Sequence, residues 1–132
     1  PEQLDEIRML TSADMDATSP FACLLVGQPT LKPRMKLGAF AALDQRISLR
    51  CELTGMTPDE TGSYIAHHTA LAGRTDTLFS ADAIALIHQT SRGLPRAVNN
   101  LAVQALLAAY AANTGIVDES SARQAVKETT HN

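Results

Sequence analysis

GLPRAVNNLAVQALLAAYAAN, residues 93–113, decides the fold. Pro95 suits the first position of a helix, because its missing N–H has no partner there in any case. Val98, Leu101, Ala102, Ala105, Leu106 and Ala109 then recur at helical spacing and form one apolar stripe. Gly115 follows shortly after Asn113, where the pattern stops. The stretch predicts a helix from Pro95 to Asn113. It is nearly apolar all round, which predicts the central helix of a helical half. Arg96 is the misfit. It stands in the first turn, where the helix dipole is positive and a cation is disfavoured by about 0.3–1 kcal/mol. An anion at the helix start reverses that argument, since backbone N–H groups and the guanidinium would both serve it.

Helices flank this one on both sides. TPDE (57–60) reads as a capping box, with Thr57 as the cap, Pro58 first in the helix and Glu60 three residues after the cap. Tyr64, Ile65, His68, Leu71 and Ala72 continue it as a stripe, and Gly73 ends it. On that stripe His68 reads as a packed histidine. Ser80 caps the next helix, Ala83, Ile84 and Ile87 face inward, and Gly93 closes it. Asp118 caps a last helix with Ala122 and Val126 inward. Residues 55–132 therefore predict four helices.

The N-terminal part differs in kind. Leu4, Ile7, Arg8 and Leu10 predict a helix over 2–12, and TSADMDATSP (11–20) reads as a polar linker. The opening, Pro1 followed at once by a helix, reads as an entry into the middle of a fold. FACLLVG (21–27) is a continuous apolar run, which fits a strand buried on both faces. QPTLKPRMK (28–36) is a Pro-broken loop or short helix, and LGAFAALDQR (37–46) a short helix with Leu37, Phe40 and Ala41 on one face. In ISLRCEL (47–53), Ile47, Leu49, Cys51 and Leu53 alternate with polar residues, as in a sheet-edge strand with one wet face. The expected fold is mainly α with a small β part: two strands of an α/β core over residues 1–54, then a four-helix bundle over 55–132.

Composition narrows the function. With 14 acidic residues against 11 basic ones, net charge −3, a dominant non-specific grip on nucleic acid is disfavoured. No apolar run approaches the length of a membrane span, and no signal peptide is visible. Cys23 and Cys51 lack metal-binding spacing and read as buried, reduced thiols of a cytoplasmic protein. No GxxxxGK[ST] loop, GxGxxG or HExxH occurs, and the adjacent His67 and His68 point about 100° apart on a helix. Three polar residues at element ends remain. Gln28 follows the buried strand, where α/β sheets bind ligands. Arg46 ends a short helix, with Arg50 four residues on. Arg96 opens the long helix, behind Gly93 and Pro95. Each also has a plain reading: a loop hydrogen bond for Gln28, a dipole-favoured helix end for Arg46, a solvated or salt-bridged side chain for Arg96.

Together, LLVGQPTL, LDQRISLR and LFSADAIALIHQTSRGLPRAVNNL resemble the second half of an AAA+ ATPase, of the general secretion pathway protein A and transposition-accessory type. The resemblance implies a fourth core strand at FACLLVG and a fifth at ISLRCEL, with an absent first strand between them. It implies a helical lid over 57–130. Gln28 would be sensor 1, Arg46 the arginine finger with Arg50 as the other candidate, and Arg96, with Pro95 and Gly93, the sensor-2 group beside the nucleotide. ATP and Mg would be cofactors of the intact protein, and none is expected on these residues alone, which lack the phosphate loop and so predict no activity by themselves. The two separated strands would either pair with other copies of the chain or rearrange. At two strand steps, about 9–10 Å, Cys23 and Cys51 are too far apart for a disulfide. Oligomerisation is expected, as is a secretion, transposition or DNA partner for the intact protein. The competing expectation is a helical binding module, for DNA or a protein, without enzymatic activity, and a third is a structural dimerisation piece.

Overall fold

A computed structural model describes residues 22–130 together with Leu4, Glu6, Ile7 and Met9. The chain divides into two compact units, Pro1–Glu52 and Leu53–Asn132.

In the first unit, α1 (Leu31–Met35) is followed by a 3-10 turn, Gly38–Phe40, that runs into α2 (Ala41–Asp44). Met35, Phe40 and Leu43 form its small core, with Leu4, Ile7, Leu25, Leu31 and Ile47 against it. Of the helix expected over 2–12, the four described residues have helical backbone. Its other residues and the linker over 11–20 lie outside the described residues. Phe40 and Leu43 take the buried face of the 37–46 segment, whereas Leu37 and Ala41 are exposed.

The two strands are not formed: residues 22–28 and 47–53 carry no regular secondary structure. Leu24 and Leu49, expected inward, are 85% and 83% exposed. The physical reason is the ladder. A strand is held by its neighbours' N–H and C=O groups, and the resemblance does not make these two segments neighbours. Their apolar character records the environment of a sheet that the described residues do not build. Cys23 and Cys51 are free, as expected, but exposed rather than buried, for the same reason.

The second unit forms the expected four helices: α3 (Pro58–Leu71), α4 (Ala81–Ser91), α5 (Pro95–Ala111) and α6 (Glu119–Thr130). Three begin as their cap residues dictate. Thr57 Oγ1 accepts from Glu60 N at 3.3 Å, while Glu60 Oε2 accepts from Thr57 N at 2.8 Å, which completes the capping box. Ser80 Oγ accepts from Ala83 N at 3.2 Å, and Asp118 Oδ1 from Ser121 N at 2.9 Å. The segments leading into α4 and α6 are joined by a parallel bridge between Phe79 and Val117, through Ser80 N to Val117 O (2.9 Å) and Val117 N to Leu78 O (2.8 Å). Both bridge residues are buried, so the starts of α4 and α6 are tied together within the core.

The central helix is α4, not α5. It packs against α3, α5 and α6, and Ala83 and Ile87 on it are wholly buried. α5 buries Val98, Leu101, Ala105 and Ala109 but exposes Val103, Leu107 and Tyr110 on its opposite side. Near-continuous apolarity therefore marks α5 as two-faced rather than enclosed. His68 is at the surface, its ring 4.4 Å from that of Tyr64, while Thr61 and Ile65 take the buried positions of α3. Thr61, fully buried, bonds to Thr57 O and to His88 Nδ1, each at 2.9 Å. A hydroxyl has one proton to give. If Thr61 donates to the carbonyl, His88 must donate from Nδ1, and α3 is stapled to α4.

Two carboxylates at these caps sit below their ordinary pKa: Glu60 through the N–H and hydroxyl of Thr57, Asp118 through the N–H and hydroxyl of Ser121. A carboxylate depressed on folding stabilises fully above its unfolded pKa, and that contribution fades as pH falls through the folded value. The thermal midpoint of the chain should therefore drop as pH is lowered from about 5 towards 3. The double variant Glu60→Gln, Asp118→Asn should show a flatter pH profile over that window. Thr57→Ala removes the cap itself and should destabilise the helical unit by about 1 kcal/mol in urea melts.

Candidate functional site at the α4–α5 junction

The junction SRGLPR (91–96) is pinned by hydrogen bonds and close backbone contact. α4 ends on Arg92, in the left-handed conformation at φ 53°, and Gly93 follows at φ 69°. The buried Ser91 hydroxyl accepts from Gly93 N at 3.1 Å and donates to His88 O at 3.2 Å. Met56 N donates to Gly93 O at 2.9 Å. The backbones touch so closely there that a Cβ on Gly93 would overlap the Met56 backbone, and one on Gly55 would overlap the Arg92 carbonyl. Two glycines are thus required for the segment entering α3 to lie against the segment entering α5. Pro95 then fixes the first helical φ, and Arg96 follows in a position set from both sides.

Electrostatically, the start of α5 is the exception among the four helices. α3 begins with a capping box and Asp59 and Glu60, α4 with Ser80 and Asp82, α6 with Asp118 and Glu119. α5 has no side-chain cap and no acid in its first turn. Val98 N bonds back to Leu94 O at 2.9 Å, which leaves the N–H groups of Arg96 and Ala97 ahead of the helical ladder. Arg96 is exposed, with no hydrogen bond or ion pair among the described residues. Dipole, free donors and guanidinium converge on a place suited to a multiply charged anion.

Gln28 and Arg46 belong to the other unit. Gln28 is exposed, and its carbonyl accepts from Leu31 N at 2.8 Å as α1 begins. Arg46 is exposed in the turn after α2, its N–H bonded to Leu43 O at 3.1 Å. Arg50, the other finger candidate, is committed to Asp44: its Nη2 donates to the backbone oxygen at 2.7 Å and to Oδ1 at 2.9 Å. Sequence reasoning missed Gly55, Ser91 and the Thr61–His88 pair. Only Gly55 carried a readable signal, as a glycine two residues ahead of a helix cap. Among the described residues no three His, Cys, Asp or Glu side chains gather as a metal site, and no helix is long and apolar enough to cross a membrane.

No protein-family model matches the chain, and no solved structure does. Among curated proteins, general secretion pathway protein A of Aeromonas hydrophila is 30% identical over 111 residues, or 84% of this chain. The chain is a relative of general secretion pathway protein A. The motif-level likeness to that type of AAA+ ATPase is thereby borne out. The matched stretch is 20% of the Aeromonas protein, so the chain spans about a fifth of its length.

Proposed function

We propose that these residues serve an AAA+ ATPase as its helical lid, with Arg96 touching the phosphates of ATP. The observation that carries this reading is the start of α5: an exposed arginine on an uncapped, acid-free helix N-terminus, held by a doubly anchored glycine junction. Gln28 is assigned to the γ-phosphate and the attacking water, and Arg46 to the nucleotide of a neighbouring subunit in an oligomer. These groups contribute charge stabilisation and positioning rather than covalent chemistry. The phosphate loop and the Mg ligands come from outside the 132 residues, because no GxxxxGK[ST] occurs among them. Kinship with a secretion-pathway protein supports a role in assembling or remodelling secretion machinery.

The test is equilibrium binding of a fluorescent ATP analogue to the ATPase that carries this chain. Arg96→Ala should weaken binding by about tenfold or more, the worth of a charge-assisted hydrogen bond. The thermal midpoint should stay unchanged, since Arg96 is exposed. Unaltered affinity would overturn the assignment.

A further inference from the structure

The outer face of α5 carries a pattern that the phosphate reading uses only at Arg96. Arg96, Val103, Leu107 and Tyr110 are spaced by seven, four and three residues, so they share one face, opposite the buried Val98, Leu101, Ala105 and Ala109. Val103 is 54% exposed, Leu107 55% and Tyr110 84%. The stripe is symmetric about Val103, with Arg96 seven residues before it and Tyr110 seven after. Its charge is symmetric in the complementary sense. α5 has no acid in its first turn and no base in its last, so neither end of its dipole is compensated by the helix's own side chains.

We propose that this face docks the same face of a second copy, as an antiparallel, two-fold α5–α5 pair centred on Val103. That register sets Val103 against the partner's Val103, and Arg96 over the ring of the partner's Tyr110, a cation–π arrangement. It also brings each positive helix end to the partner's negative end. A parallel pair would set Arg96 beside Arg96 and like dipole ends together, so the charges select the antiparallel form. One helix face buries less than the ~1,200 Å² of a stable standard interface, so the association is weak and concentration-dependent. The guanidinium serves the phosphates or the partner's ring but not both, so at Arg96 the pairing and nucleotide contact exclude each other.

Thiol crosslinking reads the register directly. In a Cys23→Ser, Cys51→Ser background, which removes the two exposed native thiols, Val103→Cys should form a disulfide-linked dimer under mild oxidation. Leu107→Cys should not, although it is equally exposed, because the two copies of residue 107 lie about 12 Å apart along the helices, beyond disulfide reach. Both variants are checked for unchanged helical content by circular dichroism. In sedimentation, Leu107→Glu should weaken self-association of the native chain at least tenfold. Equal crosslinking at both positions, or none at 103, overturns the proposal.

Discussion

Arg46→Ala is expected to lower ATP turnover of the assembled ATPase by about 10³-fold or more, the range in which an arginine finger acts. The size follows from the position of the charge. A guanidinium that meets the transferring phosphoryl group stabilises negative charge spread over its oxygens, in a site from which water is excluded. Arg46 is suited to act across a subunit boundary. It lies in the exposed turn after α2, beyond the helix rather than within it. The loss should be one of trans action: a subunit lacking its phosphate loop but retaining Arg46 should restore turnover to an Arg46→Ala subunit that retains the loop. Arg50→Ala should have a much smaller effect on turnover, because Asp44 already holds that side chain. Full activity of Arg46→Ala would remove it from the finger role.

Gly93→Ala should be the most damaging small substitution in the helical unit. Alanine at φ 69° carries a left-handed penalty of about 1–2 kcal/mol. Its methyl group would also overlap the backbone of Met56, which cannot rotate aside as a side chain could. Relieving that overlap means breaking the bond from Met56 N to Gly93 O and parting the two segments. A total loss of about 3 kcal/mol or more is expected in denaturant melts. Gly73→Ala provides the control. Gly73 also has positive φ, at 86°, but nothing lies within 4 Å of where its Cβ would stand. It should therefore show the left-handed penalty alone. Equal losses at the two glycines would mean that the contact with Met56 carries no weight.

The helical half was legible because its signals are local. Thr57, Ser80 and Asp118 cap their helices through atoms within three or four residues, and each cap formed as read. Periodicity found the buried stripe of α5 but not its depth. Val103, Leu107 and Tyr110 look like core in a sequence, and only the placement of the other helices leaves them largely exposed. The strands failed for a related reason. FACLLVG and ISLRCEL encode the faces of a sheet, and a sheet is a non-local object whose ladder must come from elsewhere in a chain. Within the site, Arg96 and Pro95 could be read from position in the helix. The grip of Met56 on Gly93 could not, because it joins segments 37 residues apart.

Whether Arg96 meets a nucleotide phosphate is decided by a structure of the ATPase with a non-hydrolysable ATP analogue. An Arg96 guanidinium nitrogen should lie about 2.7–3.1 Å from a phosphate oxygen, with the first turn of α5 directed at the phosphates. An Arg96 side chain directed into solvent or onto protein, with the phosphates fully coordinated by other groups, would contradict it.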